Sequence, residues 1–122
     1  MTPADAMSRL GVILAHLWMV RNFLKHAEEI QEDQPMMEVH RMIFDFIRAT
    51  EPAHERGDAI EYLHRIRAKL PKLKRVADQF AQDFHRVSSH TNFEMAALSL
   101  SGGVQQIEEI LGAVAAASTA SG

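Results

Sequence analysis

The sequence predicts an all-α fold: an antiparallel, up-down-up-down four-helix bundle whose first and third helices are long. No segment alternates apolar and polar residues between turn signals, so no strand is predicted. A capping residue followed three positions later by an acid, which is typical of helix N-termini, occurs three times. These pairs are Thr2 with Asp5, Asp58 with Glu61, and Thr91 with Glu94. The segments between the predicted helices are short, which favours antiparallel neighbours.

The first two helices are predicted at residues 3–31 and 35–51. Thr2 caps the first helix, and the polar turn from Glu32 to Pro35 separates it from the second. The second helix loses its apolar pattern at Pro52. We therefore expect it to end there or to continue for one more turn.

The third helix is predicted at residues 58–89, with a kink at Pro71. Apolar residues recur along it at alternating spacings of three and four, which is typical of the seam of a left-handed bundle. They are Leu63, Ile66, Leu70, Leu73, Ala77, Phe80, Phe84 and Val87. Because the register continues on both sides of Pro71, the sequence predicts one kinked helix instead of two.

The fourth helix is predicted at residues 92–117 and carries a similar seam. Its members are Phe93, Ala97, Leu100, Val104, Ile107, Leu111 and Val114. Gly102 and Gly103 interrupt the pattern and indicate a kink or a close approach of another helix. We expect residues 1–117 to form one domain and residues 118–122 to form a flexible tail.

Composition limits the possible functions. The chain has 122 residues, no cysteine and a formal net charge of −3. Thiolate metal sites and cysteine nucleophiles are excluded, and the acidic balance argues against a general polyanion-binding protein. No apolar run is long enough to span a bilayer, and no secretory signal is recognisable at the start. We therefore expect a cytoplasmic protein with no membrane partner.

The first two predicted helices are apolar over an unusually wide arc. The arc of the first helix covers about 220° when residues are projected at 100° each, and the second helix leaves only a narrow polar face. A partner subunit is the simplest cover for the additional surface, so the sequence predicts a homodimer through these two helices. The expected interface residues are Met19, Phe23, Met37 and Phe44.

Histidine and acidic residues gather at the end of the predicted bundle where the first and third turns meet. His40 also lies within the apolar arc of the second helix. A mixed imidazole and carboxylate site for zinc or iron is the chemistry that such residues favour. The candidate ligands are His26, His40, His90 and Glu94. No other cofactor is predicted, and a core histidine satisfied by a hydrogen bond is the simpler interpretation of His40.

Basic residues form a stripe on the third predicted helix. Its outward members are Arg65, Lys72, Arg75 and Arg86. Such a stripe is able to bind phosphate groups, but no aromatic residue interleaves with it, and a solvated surface is the simpler interpretation.

Three functions therefore remain open. The leading one is a non-catalytic interaction or scaffold protein that forms a homodimer and binds a further protein partner. A metal-binding bundle that uses the histidine cluster is the first alternative. A nucleic-acid-associated helper that uses the basic stripe is the second. No nucleophile or phosphate-binding loop supports an enzyme.

Overall fold

The computed structural model describes the backbone of residues 1–121 and the side chains of residues 1–115. This part of the chain forms five helices and no strand, which confirms the all-α prediction. The helices are α1 (Pro3–His26), α2 (Glu28–Gln31), α3 (Gln34–Glu55), α4 (Ala59–Val87) and α5 (Thr91–Ser121). The tail predicted at 118–122 lies outside the residues whose side chains are described.

Capping side chains start the four long helices, and at α5 the acceptor is His90 Nδ1, which bonds the Asn92 amide. The Thr2 hydroxyl accepts a hydrogen bond from the Asp5 amide at 3.1 Å, and the Asp5 carboxylate accepts one from the Thr2 amide. Asp33 caps α3 by accepting from the Met36 amide at 3.1 Å. Asp58 does the same for α4 with the Glu61 amide. Each bond satisfies a donor that the first helical turn leaves without a partner.

The prediction of one continuous helix over residues 3–31 is wrong. α1 ends at His26, and Ala27 has an extended backbone with φ −80° and ψ 124°. The short helix α2 then places Ile30 in the core with no exposed surface. The Gln31 side chain donates to the Lys25 carbonyl at 3.0 Å and so satisfies one acceptor at the end of α1. Burial of Ile30 thus redirects the chain at a position that has no glycine or proline.

α3 continues through Pro52 and ends at Glu55. Of the two expectations, an end at Pro52 or one more turn, the structure shows the second. The chain then reverses at Gly57, whose φ of 68° lies in the region that glycine adopts without strain. Hydrogen bonds from the Gly57 and Asp58 amides to the His54 and Ala53 carbonyls close this turn. Pro71 lies within α4, and the kink predicted there stays a prediction.

The four long helices share one hydrophobic core. α3 packs against α1 and α4, and α5 packs against α4 and α1, whereas α1 and α4 contact each other less extensively. The predicted seams of α4 and α5 are buried, except that Leu70 and Val87 are only partly buried. The largest fully buried side chains are Tyr62, Phe46 and Phe80.

Candidate functional site

The exposed large apolar side chains of the long helices concentrate on α1 and α5. Val12 and Met19 of α1 are 59% and 65% exposed, and Met95 and Leu98 of α5 are 51% and 60% exposed. Met19 and Met95 line the same surface groove of about 480 Å³. Val12 lies two helical turns before Met19, and Leu98 one turn after Met95, so each pair shares a helix face. We call these four residues the α1/α5 apolar face.

The four predicted interface residues are placed differently from one another. Met19 belongs to the α1/α5 apolar face. Phe23 is half-buried and packs edge-on against Phe93, with ring centroids 5.1 Å apart. Met37 and Phe44 of α3 are also half-buried. The exposed apolar surface of α1 therefore continues onto α5, the fourth long helix, and α3 adds no strongly exposed large apolar residue to it.

α1 and α3 enclose a second groove, which sequence reasoning did not find. Its volume is about 590 Å³. The small residues Gly11 and Ala15 leave space on one side of α1. Gly11 lies close to His54, since a Cβ added at Gly11 would be 3.2 Å from the Nε2 atom of His54. Gly11 and Ala15 stand four residues apart, which is the sequence signal that would have indicated this α1/α3 groove.

Trp18, which lines the α1/α3 groove, also forms a cluster with Phe44 and two arginines. The two rings have centroids 6.0 Å apart. The Arg21 guanidinium carbon lies 4.8 Å from both ring centroids, and that of Arg48 lies 5.5 Å and 5.2 Å from them. A guanidinium over an aromatic face is attracted by the ring quadrupole. The cluster therefore holds two positive charges at one edge of the groove.

The predicted metal ligands do not come together. Among the residues whose positions are described, no three histidine or acidic side chains are grouped so as to hold a metal ion. His26 is exposed, and its Nδ1 donates to the Asn22 carbonyl at 3.0 Å. His90 is also exposed, and its Nδ1 accepts from the Asn92 amide at 3.1 Å at the start of α5. Both rings thus bond to local backbone at helix ends, and Glu94 is exposed.

His40, the fourth predicted ligand, is half-buried on α3. Burial lowers its pKa below the ordinary value of 6.5, and the nearby cations Arg21, Arg41 and Lys25 lower it further. His16, which the apolar arc of the first helix contains, is exposed instead. The arc includes both the buried face of α1 and a side turned to solvent, so membership in it does not imply burial.

The lowered pKa of His40 predicts a loss of stability in mild acid. The unfolded chain takes up a proton near pH 6.5, whereas folded His40 resists it, so the free energy of unfolding falls as pH falls from about 7 through the folded pKa. We expect His40→Gln to reduce this dependence. Urea unfolding of the wild type and the variant at pH 7.5 and 5.5 measures it. Equal losses of stability in the two proteins would contradict the prediction.

The predicted basic stripe is divided between ion-paired and free side chains. Arg65 pairs with Glu61 at 2.9 Å on the same helix. Arg86 pairs with Asp33 at the start of α3 through two nitrogens, which lowers the pKa of Asp33. No ion pair among the described side chains involves Lys72 or Arg75. Anion binding by this stripe stays a prediction.

No protein-family model matches the chain, and no curated protein or solved structure matches it either. In the part of the chain that is described, no helix combines the length and the apolar character needed to cross a membrane.

Proposed function

We propose that this protein is a non-catalytic interaction module that forms a homodimer through the α1/α5 apolar face. The observation that supports this proposal is the gathering of Val12, Met19, Met95 and Leu98 on two neighbouring helices, each more than half exposed. Single exposed apolar residues are common on protein surfaces, whereas neighbouring ones such as Met19 and Met95, which line one groove, indicate a binding surface. The sequence predicted an interface through the first two long helices, α1 and α3. The proposal keeps α1 and replaces α3 with α5.

A second copy of the chain is the partner because the two helices of this face carry opposite charges. Apart from Arg21, which belongs to the Trp18 cluster, α1 has Arg9 and Lys25 against one acid, Asp5. α5 contains glutamates and neither lysine nor arginine. A two-fold axis that runs parallel to the helices brings α1 of each protomer onto α5 of the other. The charges of one copy then complement those of its partner.

Contacts between α1 and α5 identify residues at equivalent heights on the two helices. Phe23 packs on Phe93, and Leu17 lies beside Gly103. Arg9 lies before Leu17 on α1, and Glu109 lies after Gly103 on α5. Since the two helices run in opposite directions, Arg9 and Glu109 lie at similar heights along the bundle. Both are exposed, and no ion pair between described residues involves either of them. In the proposed dimer, Arg9 of one protomer approaches Glu109 of the other.

The dimer predicts that Met19→Glu produces a monomer that stays helical. A glutamate there places a charge, desolvated and without a partner, in the centre of the interface. Sedimentation equilibrium measures the mass, and far-UV circular dichroism checks the fold. Ile60→Glu is a matched control because Ile60 is 68% exposed but lies at the start of α4, outside this face.

Two results would reject the dimer. One is a wild-type protein that is monomeric at tens of micromolar, and the other is a Met19→Glu variant that keeps the wild-type mass. The orientation has a test of its own. Arg9→Glu and Glu109→Arg each weaken the dimer, and the two changes together restore it. If the double variant is weaker than both single variants, α1 does not face α5 of the partner.

We also infer that the helices form a single up-down-up-down domain over residues 1–117. Four contacts support this order. Gly11 near the start of α1 lies beside His54 at the end of α3, and Asp33 at the start of α3 pairs with Arg86 at the end of α4. Lys74 of α4 pairs with Glu108 of α5 at 3.3 Å, and Phe23 near the end of α1 meets Phe93 near the start of α5.

A further inference from the structure

The α1/α3 groove has the size and lining of a small-molecule site. Its volume of about 590 Å³ lies within the range of ligand pockets. His16 and Met19 line both this groove and the groove between α1 and α5. Leu14, Trp18 and Ile47 supply an apolar wall. The rest of the lining is largely polar: Thr50 uses its hydroxyl to donate to the Ile47 carbonyl at 3.0 Å, which leaves His16, Arg48, Glu51, His54 and Tyr62 as the principal polar side chains.

Tyr62 supplies an unsatisfied hydrogen-bonding group in this lining. The residue is 1% exposed, and its hydroxyl is buried without a hydrogen-bond partner. Burial raises its pKa to about 12, so the hydroxyl keeps its proton and remains able to donate at neutral pH. A buried hydroxyl without a partner destabilises the fold, because its lost hydrogen bond to water is not replaced. An acceptor atom on a bound ligand would remove that cost.

The charge at the edge of the groove favours an anion. Arg48 is paired with Glu51 at 2.7 Å. Arg21 stacks on the same rings as Arg48, and among the described side chains it pairs with no carboxylate. Its Nε is buried and has no hydrogen-bond partner. The edge of the groove therefore carries two guanidinium groups and one carboxylate.

We propose that the α1/α3 groove binds a small amphipathic carboxylate. The apolar tail lies along Leu14, Trp18 and Ile47. The carboxylate accepts a hydrogen bond from Tyr62, which packs on His54, and Arg48 in the same lining attracts it without direct contact. This arrangement satisfies the buried hydroxyl and balances the excess positive charge of the Trp18 cluster. An ammonium ligand with the same tail lacks an acceptor for Tyr62 and is repelled by both arginines.

Three probes of equal chain length separate the contributions of tail and head group. Octanoate and octylammonium are used below their critical micelle concentrations, and octan-1-ol is used below its solubility limit. Isothermal titration calorimetry gives the affinity, and emission from Trp18, the chain's single tryptophan, shows whether the groove is occupied. We expect saturable binding of octanoate, with octylammonium at least tenfold weaker and octan-1-ol in between. Equal binding of all three probes, or no saturable change in Trp18 emission, would overturn the proposal.

Two variants test the assigned contacts. Tyr62→Phe keeps the ring and removes the hydroxyl, so octanoate should bind about tenfold more weakly. Arg48→Gln should weaken octanoate and leave octan-1-ol unchanged. Arg41→Gln is the matched control, because Arg41 forms a similar exposed pair with Glu38 on α3 outside the groove. Octanoate affinity that is unchanged in both Tyr62→Phe and Arg48→Gln would place the binding elsewhere. Sedimentation of the same samples reports the dimer separately.

Discussion

Replacing Phe80 by alanine is expected to lower the free energy of unfolding by about 3–5 kcal/mol, the range measured for large aromatic truncations in protein cores. Phe80 has no exposed surface and packs edge-on against Phe84, with ring centroids 6.2 Å apart. Alanine leaves a cavity between α4 and its neighbours that the helices fill only in part. Because a domain has only about 5–15 kcal/mol of stability, this loss is a large fraction of the total.

Urea unfolding followed by far-UV circular dichroism measures the effect of Phe80→Ala. Protein concentration must be equal in all samples, because dimer formation would stabilise the folded state by mass action. Ile60→Ala serves as the control, since Ile60 is 68% exposed and its truncation should change stability by less than about 0.5 kcal/mol. Similar losses in the two variants would mean that Phe80 is not part of a tightly packed core.

The second large effect is expected at the two glycines of α5, which should respond oppositely to alanine. At Gly102 an added Cβ has nothing within 4 Å, so Gly102→Ala should stabilise the helix by up to about 1 kcal/mol. At Gly103 the Cβ lies 2.8 Å from Cδ2 of Leu17, which is fully buried. Overpacking at such a contact costs about 1–3 kcal/mol.

The comparison of Gly102→Ala with Gly103→Ala isolates the steric effect, because both changes gain the same helix propensity. We expect the free energies of unfolding of the two variants to differ by about 1–3 kcal/mol, with Gly102→Ala the more stable. Thermal or urea unfolding of the pair measures this difference. Equal stabilities would show that Leu17 moves aside at little cost and that the α1 and α5 backbones are not held closely here.

The sequence predicted the buried seams well because bundle packing imposes a simple period. In α4 and α5 the three-and-four spacing of apolar residues coincides with burial from Leu63 to Phe84, except at the partly buried Leu70, and from Phe93 to Val114. The capping pairs at Thr2 and Asp58 form the expected hydrogen bonds because they depend only on neighbouring residues. Local chemistry and a single helical period carry this information.

Features that depend on several helices at once escaped prediction. The break at Ala27 results from tertiary burial of Ile30, not from a local helix breaker. The apolar arc of α1 contained buried Leu17 and exposed Met19 alike, because the wheel does not say where neighbouring helices lie. The histidine cluster was predicted from shared height in the bundle, whereas metal binding also requires each side chain to point toward the same centre.

The absence of lysine and arginine from α5 also determines how the chain is cut. Trypsin cleaves after these residues, and the last of them in the sequence is Arg86. Every other long helix contains at least one such residue, so complete digestion divides each of them into shorter peptides. The whole of α5 is instead contained in one peptide that begins at Val87. A peptide map therefore reports on this helix through a single long fragment, and chymotrypsin or an acid-specific protease is needed to locate a modification within it.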